Sequence, residues 1–165
     1  MPTSLRLAAS ALTLGAGLAA LAAAAPAQAQ YNQHLRHDAA KCSDDGPAVR
    51  ITVSGVKASR GTLRVQLYRA TRADWLETGR WLNRIELPAR AGTMSVCMPA
   101  PGPGTYGIAI RHDVNGNGET DLTQDGGGVS NNPSINIFNL GKPSYDKAAF
   151  QVSGVRSISI TMRYM

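Results

Sequence analysis

The sequence predicts an all-β protein, folded as a single β-sandwich of about seven short strands. Several segments alternate apolar and polar residues with a period of two, which is typical of half-buried strands. No segment has the longer apolar period of an amphipathic helix. Aromatic residues make up only 5% of the chain, whereas glycine occurs 17 times and proline 9 times, and this composition favours short strands joined by turns.

The clearest strands have one aliphatic face. Val49, Ile51 and Val53 share a face of the first strand, and Ile158, Ile160 and Met162 share a face of the last. The predicted strands lie near residues 49–53, 63–67, 84–87, 93–98, 106–110, 149–152 and 157–164. Residues 71–81 lack alternation and favour a short helical turn, in which Trp75 and Trp81 are interpreted as core cover in preference to a ligand platform.

The first residues have the layout of a secretory signal peptide. Arg6 precedes an uncharged run rich in alanine and leucine, and the run ends at the small residues Ala25-Pro26-Ala27-Gln28-Ala29. We therefore predict a signal peptide over residues 1–29, cleavage near Ala29, and a mature protein that is periplasmic or secreted and has no transmembrane segment.

Cleavage would leave about 136 residues with 16 Lys and Arg against 11 Asp and Glu, a net charge of +5. This length suits one domain, which we place at residues 48–165 after a flexible N-terminal arm at 30–47. Arginines at 64, 69, 72, 80, 84 and 90 fall within one stretch, so a binder of anionic envelope polymers is one functional hypothesis. Export argues against nucleic acid as the physiological partner.

Two cysteines, Cys42 and Cys97, remain after cleavage. In an oxidising compartment the expected state is a disulfide between them, which would tether the N-terminal arm to the domain.

The most specific motif is an acidic, glycine-rich loop. Side-chain oxygens from Asp113, Asn115, Asn117 and Asp121, with the backbone carbonyl of Glu119, follow the spacing of a calcium loop, and Gly118 stands where such a loop turns sharply. Residues 112–141 contain four acidic residues and no Lys or Arg. Gln124 replaces the usual bidentate Glu, so the pattern predicts a calcium site that is not an EF-hand. The alternative is a metal-free turn in which Asp and Asn bind their own backbone.

A hydrolase is the enzymatic alternative, in which His112 would act with Ser130 or Asp113. No nucleophile-elbow pattern surrounds Ser130, and a buried, hydrogen-bonded His112 is the preferred interpretation. The sequence favours a protein that is not an enzyme.

Four motifs in order resemble exported bacterial proteins of the domain-of-unknown-function family 2141. They are Gly104-Thr105-Tyr106, the His112–Asp121 loop, Ser130-Asn131-Asn132, and Pro143-Ser144-Tyr145 with Ala148 and Phe150. The resemblance covers residues 49–165 and implies a transthyretin-like or immunoglobulin-like sandwich in the envelope or outside the cell, without an established activity. Val114 and Gly126-Gly127-Gly128-Val129 depart from the family pattern.

Together these features predict an exported, non-enzymatic envelope protein that serves as a structural or binding module for an envelope or extracellular partner.

Overall fold

The structure is a computed structural model that describes residues 30–43, 46–134 and 142–165. The predicted signal peptide at 1–29 lies outside the described residues, as does the segment 135–141 of the long excursion. Within the described ranges no helix is long and apolar enough to cross a membrane.

Strands dominate the described chain. They are β1 (Gln33–Leu35), β2 (Ala48–Val56), β3 (Thr62–Arg69), β4 (Asn83–Pro88), β5 (Gly92–Pro99), β6 (Gly104–Asp113), β7 (Gly126–Val129), β8 (Phe150–Val152), β9 (Val155–Thr161) and β10 (Arg163–Tyr164). A 3-10 turn (Ala39–Cys42) and one short helix, α1 (Tyr145–Ala148), complete the set. All seven predicted strands are present, and β1, β7 and the separate β10 are additional.

The strands form two sheets, which confirms the predicted all-β sandwich. The larger sheet has the order β1-β4-β3-β6-β7-β10, with β8 also paired to β6. The smaller sheet has the order β5-β2-β9. Most neighbours are antiparallel, but β1 runs parallel to β4 and β9 runs parallel to β2.

The core lies between the sheets and is made by the predicted alternating faces. Ile51 and Val53 of β2 face Leu63 and Val65 of β3, and all four are fully buried. Burying a large aliphatic side chain contributes about 1.5–3 kcal/mol, so this shared apolar interface is the main source of stability. The polar residues between them point to the two outer surfaces.

A second, smaller apolar cluster covers one end of the outer face of the larger sheet. It joins Tyr68 on β3 to Trp75, Trp81, Val129 and Ala148. Gly107 on β6 makes room for it, because a Cβ at this position would lie 2.5 Å from the Trp75 ring. The two tryptophans are therefore core cover, as predicted.

The N-terminal segment, for which we expected a flexible arm at residues 30–47, has regular structure in its described part. Its described part contributes β1 and the 3-10 turn, and Tyr31 donates a hydrogen bond of 2.9 Å to the buried carboxylate of Asp74. The Cys42–Cys97 disulfide is present and joins the turn to β5, which confirms the predicted pairing. Sequence reasoning missed β1 because three residues are too few to show a period.

The predicted last strand is divided between the two sheets. β9 pairs with β2, and after Met162 the chain continues as β10 beside β7. The same side of the strand faces the core in both sheets, as predicted, since Ile160 and Met162 are buried and Tyr164 packs against the core. The C-terminal strand thereby connects the sheets next to the 113–125 loop.

Candidate functional site

The acidic loop leaves the end of β6 at Asp113 and returns at the start of β7. Asp113 is 3% exposed, and its two carboxylate oxygens each accept one backbone hydrogen bond of 2.8 Å, from the N–H groups of Gly116 and Gly118. Both glycines have positive φ (73° and 80°), a conformation that other residues adopt only with strain. The carboxylate therefore organises the loop from its base.

Two asparagines continue the same pattern along the loop. The side-chain oxygen of Asn115 accepts from the N–H of Asn117 at 3.1 Å, and that of Asn117 accepts from the N–H of Glu119 at 2.8 Å. These are successive Asx turns, as the metal-free alternative expects. Each oxygen retains a second lone pair, so the hydrogen bonds leave the calcium prediction neither confirmed nor wrong.

The other end of the loop is held by Asp125, which sequence reasoning did not single out as a site residue. Its carboxylate oxygens accept from the N–H groups of Val114 and Asp121, both at 3.0 Å. Asp121, a predicted metal ligand, instead accepts hydrogen bonds from Thr123 and Gln124. Across the described residues no three His, Cys, Asp or Glu side chains are grouped so that they could hold a metal ion.

Arg111 supplies a positive charge that the loop itself lacks. It donates to the Thr120 hydroxyl and to the carbonyl of Gly118, both at 2.8 Å, and lies 3.7 Å from a carboxylate oxygen of Asp113. Arg111 of the preceding strand thus partly compensates the negative charge of the acidic loop. The charge balance within residues 112–141 did not reveal this contact.

Arg111 also belongs to a basic surface on the outer face of the larger sheet. In the strand register Arg64 lies between Glu86 and Arg111, and Gly127 lies between Arg111 and Arg163. Arg84 lies on β4 next to this row of residues, and the central carbon of its guanidinium group is 4.1 Å from the centre of the Trp81 ring. We call Arg64, Arg84, Arg111 and Arg163 the arginine face.

The arginine face is crowded with like charges. Glu86 is 2.6 Å from Arg64 and 4.0 Å from Arg84, so two guanidinium groups share one carboxylate. Burial and, secondly, the neighbouring Arg64 lower the pKa of Arg84, and Arg111 adds to the effect. The Nε atoms of Arg84 and Arg111 are buried and have no hydrogen-bond partner. An anionic group at this face would relieve the repulsion among the guanidinium groups.

A cleft of about 480 Å³ opens between the arginine face and the acidic loop. Its floor is the glycine run of β7, and its rim includes Leu122 of the loop and the C-terminal Met165. This volume lies within the range of small-molecule sites, about 300–1,000 Å³. No sequence signal marked the cleft, because it is formed by the absence of side chains on β7.

The two residues of the hydrolase hypothesis have structural partners. His112 is fully buried, with Nδ1 2.7 Å from the Tyr164 hydroxyl and Nε2 2.9 Å from the Arg60 carbonyl. The Tyr164 oxygen already accepts from the N–H of Lys57, so its proton is free for Nδ1, and Nε2 carries the imidazole proton. His112 is thus the buried, hydrogen-bonded histidine that we expected.

Ser130 and the two asparagines after it hold neighbouring segments of the backbone together through hydrogen bonds. The Ser130 hydroxyl accepts from the N–H of Ile108 and donates to the carbonyl of Ala148. The Asn131 amide donates to the carbonyls of Lys147 and Ala149. Asn132 bonds the backbone of β9 through both ends of its amide, at Ser159 and Thr161. The motif therefore has a structural reason that does not involve catalysis.

The chain belongs to the family described as an uncharacterized protein conserved in bacteria, DUF2141, which it matches over residues 51–159. The matched region contains the whole acidic loop, the glycine strand β7 and the Ser130–Asn132 junction. No curated protein and no solved structure matches the chain.

Proposed function

We propose that the protein is an exported, non-enzymatic binding module of the bacterial cell envelope, and that the arginine face binds anionic polymers. One observation carries this proposal: four arginines lie on one outer sheet face, three of them on the adjacent strands β4, β3 and β6 and Arg163 on the far side of β7, with Glu86 as the acidic neighbour of two of them. Because positive charges held this close repel one another, a polyanion that neutralises them should bind more tightly here than on a surface of scattered charges.

Export is supported by the signal-like first 29 residues and by the disulfide, which is characteristic of oxidising compartments. A binding role is supported over catalysis because His112 and Ser130 are engaged in buried structural hydrogen bonds.

Chromatography on immobilised heparin and lipopolysaccharide tests the proposal. We expect the oxidised protein to be retained and to elute with rising salt, because ions screen exposed charges. The double variant Arg64→Gln/Arg84→Gln should elute at lower salt. The control Arg90→Gln/Arg156→Gln removes the same charge from exposed positions outside the arginine face and should elute near the wild type. Equal shifts for the two variants, or no retention of the wild type, would contradict a specific basic face.

Calcium binding by the acidic loop is a second candidate. It is favoured by the oxygens of Asp113, Asn115 and Asn117, which follow one another at alternate positions and each keep a lone pair. These residues and the Glu119 carbonyl would hold the ion, and Asp121 would join them on releasing Thr123. A bound divalent cation would stabilise the loop electrostatically.

Thermal unfolding in calcium and in chelator tests this candidate. A ligand at 100 times its Kd stabilises the folded state by about 2.7 kcal/mol, so calcium should raise the melting temperature measurably. Asn115→Ala should reduce the shift, and Glu119→Gln should keep it because only the carbonyl of residue 119 is a proposed ligand. An unchanged wild-type melting temperature would refute the candidate.

A further inference from the structure

The cleft beside the arginine face combines an open floor with a basic side. Gly127 on β7 lies between Arg111 of β6 and Arg163 of β10 in the strand register. A Cβ at Gly127 would meet only the Ile110 carbonyl, at 4.0 Å, whereas a Cβ at Gly126 or Gly128 would collide with Tyr164 or Ile160. Gly126 and Gly128 are therefore required by the core, while Gly127 leaves space on the outer face.

Cationic groups surround this space. Arg111, Arg163 and Lys142 line it, together with the acidic Asp121 and Asp125. Asp125 already accepts two backbone hydrogen bonds, and Asp121 accepts bonds from Thr123 and Gln124. Three cationic side chains therefore line the cleft against two carboxylates whose oxygens already accept hydrogen bonds. This charge balance favours a ligand with an anionic group.

Most of the remaining cleft surface is apolar and partly open to water. Leu76, Ala109 and Val129 line it, and Leu122 and Met165 stand at its rim. Leu122 is 61% exposed and Met165 is 70% exposed, and these are two of the three large hydrophobic side chains that are exposed among the described residues. Exposed apolar side chains gathered around one concave site indicate a ligand surface.

We propose that the cleft binds a single-chain anionic amphiphile, such as a fatty-acid-like carboxylate. The head group lies against Arg111 and Arg163, and the acyl chain lies along Leu122 and Val129. This inference deepens the proposed anion binding, since Arg111 and Arg163 belong to the arginine face. It adds an apolar requirement that a polyanion does not have.

Calorimetric titration with dodecanoate, kept below its micelle concentration, tests the inference on the oxidised protein. We expect dodecanoate to bind, and butyrate and dodecyltrimethylammonium to bind at least about tenfold more weakly, because one lacks the chain and the other has the opposite charge. Equal binding of the cationic amphiphile, or no binding of dodecanoate, would overturn the proposal.

One variant and its control test whether the ligand binds in the cleft. Gly127→Val puts a side chain into the open floor and should weaken dodecanoate binding by about tenfold or more. Ser157→Val makes a similar change at an exposed strand position on the smaller sheet and should bind as the wild type does. Unchanged affinity in Gly127→Val, with its melting curve confirming a folded protein, would overturn the assignment.

The variant Leu122→Asn tests the amphiphile site without disturbing the fold, and it distinguishes this site from the polymer-binding face of the proposed function. Leu122 is exposed, so its replacement should leave the fold intact. It should weaken dodecanoate binding and leave heparin retention unchanged, because no charge is altered. If Leu122→Asn binds dodecanoate as the wild type does, the amphiphile site alone is refuted. If the two arginine double variants elute from heparin at the same salt concentration, only the polymer-binding face is refuted.

Discussion

Replacing Asp113 with asparagine should destabilise the protein whether or not the loop binds calcium. The carboxylate is 3% exposed and each of its oxygens holds one backbone N–H at 2.8 Å. An asparagine offers one acceptor oxygen, and its amide nitrogen would face the remaining N–H group as a second donor. The substitution also removes the charge that Arg111 approaches to 3.7 Å.

The magnitude follows from these contacts. A hydrogen bond to a charged group contributes about 1.5–3 kcal/mol, and the Arg111 pair adds little because its separation is long. We therefore expect a loss of about 2–3 kcal/mol in the free energy of unfolding. For a domain of this size, 1 kcal/mol corresponds to roughly 3–5 °C in melting temperature. Asp113→Asn should then melt roughly 6–15 °C below the wild type.

Thermal and urea unfolding in the presence of a chelator are the appropriate measurements, because they remove any contribution of calcium. Glu119→Gln is the matched control, since it changes the same charge on an exposed residue of the same loop and should alter stability by less than about 0.5 kcal/mol. If Asp113→Asn in chelator is as stable as this control, the carboxylate does not organise the loop and the reasoning fails.

Three further outcomes test other parts of the fold. Ser130→Ala should cost about 2–4 kcal/mol in urea unfolding, because it leaves the buried Ile108 N–H and the Ala148 carbonyl without their partner; a loss below about 1 kcal/mol would contradict this role. Replacing Cys42 and Cys97 together with alanine should cost about 4 kcal/mol, the chain-entropy value for a separation of 55 residues, and wild-type stability in the double variant would contradict it. Burial raises the pKa of Tyr164, so its contribution to stability is complete below the unfolded value of about 10 and is lost as pH rises through the folded value. Tyr164→Phe should therefore show a shallower loss of stability above pH ~10 in pH-dependent melts, and an identical alkaline profile would refute the assignment.

The larger part of the sandwich follows from local sequence. Strands such as Leu63-Val65-Leu67 bury every second residue, and this period is visible without any structure. The disulfide was predictable because only two cysteines remain after the signal peptide and an oxidising compartment favours their pairing.

The elements that sequence reasoning missed owe their conformation to distant partners. β7 is three glycines and a valine, with no period and low strand propensity, and it is a strand because Ala109 to His112 of β6 offer hydrogen bonds on one side and β10 on the other. The role of Asp125 could not be predicted, because its carboxylate binds the backbone N–H groups of Val114 and Asp121, and only the folded loop brings these groups close to it. Neither role can be inferred from residue type alone.

The acidic loop and the cleft are parts of one structural unit, and Arg111 connects them. Its guanidinium group holds Gly118 and Thr120 of the loop, and the same side chain lines the cleft together with Thr120, Asp121 and Leu122. The loop that Asp113 and Asp125 organise from within thus forms one wall of the proposed ligand site. Backbone hydrogen bonds to two buried carboxylates hold this wall, and a bound calcium ion would stiffen it further. In the proposed ligand site, the acidic motif would serve as the scaffold, and the cleft would recognise its ligand through basic and apolar side chains.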